Sequence, residues 1–320
     1  MKEIGGYFNF ELSVKSHFLH DDGVLVNSGA NALLYVLKSL GRIDRVYVPY
    51  FTCDSVLKPI KSLHISYVFY HINENLEIKE NIICGDYEYI IINNYFGIKD
   101  EYIKKVVNEY ENHLIIDNAQ ALFFPRMTNV PAIYSPRKFI GIPDGGIAYV
   151  CTPLSESIEV DKSYERCSHL LKRYDEGASG AYADFKKNDY YVGQLSLRKM
   201  SFLTRSIMSS VDYNNLCKRR ITNFKKLHSV LGESNLLNCV DDSFLCPLVY
   251  PYLSKVSGLK KYLIDNNVFC ATYWPNVFDW CESSDFEYYL ANELVAIPID
   301  QRYDEDDMNR IIKIIKDTWK

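Results

Sequence analysis

Gly23-Val-Leu-Val-Asn-Ser-Gly-Ala-Asn-Ala-Leu-Leu-Tyr-Val-Leu-Lys-Ser-Leu40 begins as a short apolar run and then becomes apolar residues at helical spacing. The spacing predicts a strand over 23–27 and a helix over 28–40. Ser28 is suited to cap that helix, and Gly41 to end it. Gly29 has no side chain to keep a ligand from the backbone. A strand that runs straight into a capped helix presents free N–H groups at the sheet edge, which is a natural phosphate site.

The same alternation continues outward. Arg45–Pro49, His64–His71, Tyr89–Asn93, His113–Asp117, Ala132–Tyr134 and Gly146–Cys151 read as strands. Cys53–Leu63 and Lys99–Tyr110 read as helices between them. Such alternation predicts an α/β fold with a doubly wound, mostly parallel sheet. Ligands of such sheets sit beyond the carboxyl ends of the strands. Ser28-Gly29, Asn93-Asn94 and Asp117 all fall there. Beyond the sheet, 153–205 is charged and helical, with Glu176–Ala181 as a candidate mobile loop. Met208–Leu231 reads as one long helix. After it come strands near Phe244–Val249 and Val268–Ala271, a helix near Lys255–Asn266 and a last helix over Asp304–Trp319. The expected division is 1–207, a large domain with an aromatic N-terminal arm after Gly5-Gly6, and 208–320, a linking helix with a small α+β domain.

The 320 residues are 48% hydrophobic and 24% charged, with a formal net charge of -5. That balance offers no basic footprint for nucleic acid. Nine cysteines, without a C-x-x-C pair, argue for a reducing compartment and against a zinc site or a disulfide framework. No apolar run reaches the ~18 residues of a membrane span. Met-Lys-Glu-Ile-Gly-Gly carries no signal-type apolar region. The expected setting is the cytoplasm.

Chemistry concentrates in Tyr134-Ser-Pro-Arg-Lys-Phe-Ile-Gly-Ile-Pro-Asp-Gly-Gly146. A lysine among apolar residues and glycines is expected to be buried, where it loses its proton or gains a partner. A neutral amine is what Schiff-base chemistry requires. The plainer reading of Lys138 is a solvated lysine beside a glycine turn. Asp117, after an apolar strand, is either a helix N-cap or a carboxylate for a protonated ring nitrogen. Gln120 is either surface polarity or a donor to a phenolic oxygen. With Ser135 as a second hydroxyl, the chain order is phosphate cradle, carboxylate, lysine. Those are the parts needed to hold pyridoxal 5'-phosphate.

The chain resembles the DegT/DnrJ family of pyridoxal-phosphate-dependent sugar aminotransferases. The resemblance is carried by Asn27-Ser-Gly-Ala-Asn-Ala-Leu33, Val48-Pro-Tyr-Phe-Thr52, Ile116-Asp-Asn-Ala-Gln120, Ser135-Pro-Arg-Lys138 with Asp144-Gly-Gly146, and Leu294–Tyr303. It implies the aspartate-aminotransferase (type I) fold, with a seven-stranded sheet between helices and a smaller C-terminal domain. It implies that Lys138 forms the Schiff base and shuttles protons, Asp117 binds the pyridine nitrogen, and Gln120 binds the ring oxygen. Ser28, Gly29, Ala30 and Ser135 then bind the phosphate. The substrates implied are a nucleotide-linked keto-sugar and an amino-acid donor, glutamate, with active sites shared across a homodimer. Two segments depart from the pattern. Cys53 stands where many members carry the aromatic that covers the cofactor ring, leaving Tyr50, Phe51 or Cys53 itself for that place. Gly193–Ser201 keeps only Arg198, Met200 and Ser201 of the segment that reaches the neighbouring subunit's cofactor. Tyr7, His169, Tyr182, Tyr273 and Trp274 are candidates to face substrate. The competing readings are a sugar dehydratase-like enzyme and a non-catalytic binding or regulatory protein on the same fold.

Overall fold

The computed structural model describes residues 6–15, 17–237 and 243–319. Gly5 of the expected arm and Cys239 lie outside the described residues. The chain starts with β1 (Val24–Val26), α1 (Gly29–Leu40), β2 (Arg45–Pro49), α2 (Leu57–Ser62), β3 (Ser66–Tyr70) and β4 (Glu88–Asn93). It continues through α3 (Asp100–Tyr110), β5 (Leu114–Asn118), β6 (Ala132–Tyr134) and β7 (Gly146–Tyr149). Then come α4 (Ser168–Val192), α5 (Phe202–Ser210), α6 (Tyr213–Leu231), β8 (Val249–Leu253), α7 (Leu259–Asp265) and α8 (Val277–Trp280). The last elements are α9 (Phe286–Glu293), β9 (Leu294–Pro298) and α10 (Glu305–Asp317).

Seven strands form one sheet in the order β1-β7-β6-β5-β4-β2-β3. The run from β3 to β6 is parallel, and β7 is antiparallel to both β6 and β1. Alternation along each strand divides the core between two faces. Ile91, Ile115, Ile133 and Ala148 face α1 and α2. Ile90, Ile92, Leu114, Ile116 and Ile147 face the opposite way, into a core that continues to β8, β9 and α10. β8 and β9 pair antiparallel as a second, two-stranded sheet. At the end of the chain, Met308, Ile311, Ile312 and Ile315 bury one stripe of α10. Asp304 and Asp307 cap its start reciprocally.

Four expected elements differ. The long helix expected over Met208–Leu231 breaks at Val211, which is extended, because Asp212 starts a new helix by accepting from Asn215 N. The expected loop at Glu176–Ala181 lies inside α4, which is interrupted only at Gly177 with φ 72°. The strand expected at Phe244–Val249 is displaced to Val249–Leu253. The carbonyls of Pro247 and Leu248 accept from the Arg220 guanidinium instead of a neighbouring strand. Val268–Ala271 supplies one bridge, Ala271 to Ala296, in place of a strand.

Candidate active site

The edge made by the carboxyl ends of β1, β2, β4, β5 and β6, with the start of β7, gathers the candidate residues. Ser28 is the extended N-cap of α1, and its hydroxyl accepts from Asn31 N at 3.1 Å. That leaves the Ser28 O–H and the first N–H groups of α1 directed outward. A side chain at Gly29 would stand 3.5 Å from Ser135 Oγ, so Ser135 closes the same turn from the end of β6. Gly146 holds the arrangement together sterically, since a Cβ there would sit 2.1 Å from the Ser28 carbonyl oxygen. Gly145 N donates to Asn27 O at 2.9 Å. Asn27 is fully buried. Its side-chain oxygen accepts from Asn31 Nδ2 at 2.8 Å, and its amide donates to Ser196 O at 3.0 Å.

Asp144 is the structural part of the Asp-Gly-Gly turn. It is fully buried and accepts from Ser201 N at 3.1 Å, Ser201 Oγ at 3.0 Å and the Thr204 hydroxyl. Burial raises its pKa, and the Thr204 and Ser201 bonds offset part of that rise. Parts of the Gly193–Ser201 segment are thus bonded within the chain, while Arg198 stays partly exposed beside Glu159. Ser201 caps α5, Met200 is buried and Ser196 binds Asn27.

Asp117 follows Ile115 and Ile116 at the end of β5, and alternation turns it to the α1 face beside Asn93 of β4. It is not a helix cap; Oδ1 accepts from Ala119 N two residues on, at 2.8 Å. Burial raises its carboxyl pKa, and the positive charge of Lys138 then works against that rise. Gln120 is buried with Oε1 held by Phe96 N at 2.9 Å. Its Nε2 is buried without a hydrogen-bond partner. A fixed amide with one unspent donor is a group awaiting an acceptor.

Lys138 differs from expectation: it is exposed. On the 3-10 turn Pro136–Lys138, Pro136 points inward and Phe139 and Ile140 follow it into the core. That leaves the Lys138 side chain facing out, its amine with neither a hydrogen bond nor an ion pair among the described residues. Its charge acts on Asp117 from one side and Cys53 from the other. The Cys53 thiol is half-buried and accepts from Ser55 Oγ at 3.1 Å. Burial pushes its pKa up, against Ser55 and Lys138.

Phe51 is a correction. Its ring has 0% exposure and packs against Trp274 at 5.1 Å and Tyr95 at 5.7 Å, so it has no free face for a ligand. Tyr50 stacks on Phe69 and meets the His71 ring at a tilt. Cys53 is the member of the trio that lies beside Lys138. Among the substrate-facing candidates, Tyr7 and Tyr182 are exposed, and His169 is buried against Phe185. Tyr273 meets the Phe96 ring, next to the turn that holds Gln120. Two further contributors are Asn93, which the sequence already placed at this edge, and Phe96, which it did not single out. Asn93 donates to Thr52 Oγ1 at 2.9 Å, bracing the loop before Cys53. Phe96 holds Gln120 from a left-handed backbone, φ 56°, which no glycine announces.

The donor set fits pyridoxal phosphate: hydroxyls and helix N–H groups for a phosphate, a carboxylate, an unspent amide and an amine at one edge. No family model matches the chain, and no curated protein matches it in sequence. Solved structures do match. A DegT DnrJ EryC1 StrS aminotransferase from Brucella abortus has a TM-score of 0.60 and 14% identity, over 92% of this chain and 84% of its own. DesI, determined in the presence of its TDP-sugar product, has a TM-score of 0.64 and 14% identity, over 92% and 79%. NtdA from Bacillus subtilis, with bound cofactor PMP, has a TM-score of 0.63 and 13% identity, over 92% and 72%. The chain has the fold of these aminotransferases. Its structural neighbours are DegT/DnrJ/EryC1/StrS sugar aminotransferases, and its sheet and C-terminal unit match type I pyridoxal-phosphate enzymes. At these identities the fold is what is shared. Among the described residues no helix is long and apolar enough to cross a membrane.

Proposed function

We propose that the chain is a pyridoxal-phosphate-dependent aminotransferase, acting in the cytoplasm, that moves an amino group from glutamate to a nucleotide-linked keto-sugar. Such a reaction serves the synthesis of cell-surface polysaccharide or secondary-metabolite sugars. The observation that carries the reading is Gln120 Nε2, a buried donor without a partner, at the same sheet edge as Asp117, Lys138 and the Ser28–Ser135 turn. The PMP of NtdA and the TDP-sugar of DesI support the cofactor and substrate class.

When bound, the cofactor supplies an electron sink for the carbon that carries the amine. The Ser28–Ala30 N–H groups with the Ser28 and Ser135 hydroxyls bind the phosphate. Asp117 keeps a proton on the ring nitrogen, and Gln120 Nε2 donates to the ring oxygen. Lys138 would hold the cofactor through its amine and would move protons as base and acid. Its exposure in a single chain agrees with an active site completed by a second copy, so we include a homodimer in the proposal.

Purified protein given pyridoxal phosphate should gain visible absorption, and L-glutamate should bleach it. Lys138→Ala should lose the band. If the wild type takes up no cofactor, the enzyme reading fails. Uptake without bleaching by any amino acid favours the dehydratase-like or non-catalytic alternative.

A further inference from the structure

Helix α6 meets the segment 244–248 at three contacts. Cys217 Sγ donates to Leu245 O at 3.4 Å. One turn on, Arg220 donates to Leu248 O at 2.8 Å. A further turn on, the Phe224 ring meets Phe244 edge-on at 4.5 Å. Cys246 follows Leu245, so the first contact sets the Cys217 thiol against the stretch that carries the Cys246 thiol, and each sulfur acts on the other's ionisation. Cys217 is partly exposed and Cys246 is buried. Cys217 is therefore the thiol that a reagent can reach, and Cys246 is the resolving partner behind it. The Cys246 thiol, helped by Arg220, lowers the Cys217 pKa to about 7. Burial pushes Cys246 far up. Near neutral pH the pair thus presents one nucleophilic sulfur.

We propose that Cys217 and Cys246 form a thiol–disulfide modification site, oxidised by a low-molecular-weight disulfide. The Cys217 thiolate attacks one sulfur of that disulfide, breaks its S–S bond and releases one thiol after protonation. Cys246 then gives its proton to solvent and attacks Cys217 in the mixed disulfide, which releases the second thiol. The net change is one S–S bond in the protein, two protein thiols oxidised, and the external disulfide reduced to two thiols.

The site has a path to Gln120. Leu248 N donates to Phe96 O at 2.8 Å. A Cβ on Gly97 would stand 2.9 Å from both Cys246 O and Gln120 O, so these strands of backbone are in close contact. Phe96 N holds Gln120 Oε1. Closing the disulfide shifts the Cys246 backbone and hence the turn that orients Gln120. The consequence for the cofactor rests on the proposed function; the disulfide does not.

The test uses the full chain equilibrated with graded ratios of oxidised to reduced glutathione, then alkylated under denaturing conditions and mapped by mass spectrometry. The expected result is loss of two alkylatable thiols of the nine. A cross-linked peptide joining 217 and 246 should appear with them. It should be reversed by dithiothreitol and missing in Cys217→Ser. In the oxidised form, hydrogen exchange of peptides covering 94–100 and 244–249 should change several-fold. A lasting glutathione adduct on Cys217, or pairing through Cys239 instead, would overturn the site. Unchanged exchange with the disulfide formed would overturn the path to Gln120. Neither readout depends on cofactor binding, so a failure of the proposed function stays distinguishable.

Discussion

Asp117 is costly to the chain before anything binds to it. Burial holds its carboxyl above the ordinary range, and Lys138 and the Ala119 N–H offset only part of that. The unfolded chain gives up this proton near the ordinary value, about 4. The folded chain gives it up later. Between the two values the unfolded state binds fewer protons, so stability falls as pH rises; below both the residue contributes nothing. Asp117→Asn removes that penalty. In urea at pH 7, without cofactor, its midpoint should equal or exceed the wild type's, and the gap should close toward pH 4. Cofactor at a hundredfold excess over its Kd should add about 2.7 kcal/mol to the wild type by mass action, and far less to the variant. A variant weaker than wild type at pH 7 would show that Asp117 serves the fold. At this scale the sequence was legible where local pattern governs. Asp117 and Ser28 sit where a strand end and a helix start predict. Phe51 and Lys138 were not legible, because the direction of a side chain on a tight turn depends on which neighbour enters the core.

Gly146 shows how one element depends on another. It begins β7 and lies against the carbonyl of Ser28, at the start of α1. Gly146→Ala puts a methyl where backbone stands 2.1 Å away, and backbone cannot rotate aside as a side chain can. The start of α1 or of β7 must move, at about 1–3 kcal/mol of overpacking. The expected outcome is a lowered unfolding midpoint together with at least tenfold weaker affinity for pyridoxal phosphate, since the phosphate turn is what moves. A variant that loses stability and keeps affinity would separate Gly146 from that turn. The strands and helices of the large sheet follow the alternation in the sequence, with ends shifted by up to two residues except at α2, which begins four residues later than expected. Three of the four misplaced elements lie after residue 200, where long-range bonds decide; the fourth is the expected loop at Glu176–Ala181, which lies inside α4. Arg220 claims the carbonyls expected of a strand, and Asp212 divides a helix whose apolar spacing continues across the break.

At the scale of the whole molecule, the exposed aromatic surface is the feature the single chain leaves unexplained. On α4, Leu171 is 55% exposed, Tyr174 94% and Tyr182 58%, and Phe202 on α5 is 68% exposed. Leu171 and Tyr174 are three apart before the break at Gly177, and Tyr182 and Phe185 are three apart after it, so each pair shares a helix face. Exposed apolar surface on this scale marks an interaction site, and tyrosine is well suited to such faces because one end of the ring can stay wet. α4 also touches the edge that carries Lys138, since Arg137 pairs with Asp189 at 3.2 Å. Covering α4 with a second copy would thus enclose Lys138 while it buries the aromatics. Sedimentation equilibrium should give twice the chain mass. Tyr174→Asp with Tyr182→Asp should shift the chain toward monomer and reduce transamination at least tenfold, with secondary structure by circular dichroism unchanged. A wild type that sediments as a monomer and still turns over glutamate would refute the shared site. A dimer that survives both substitutions would move the interface off α4.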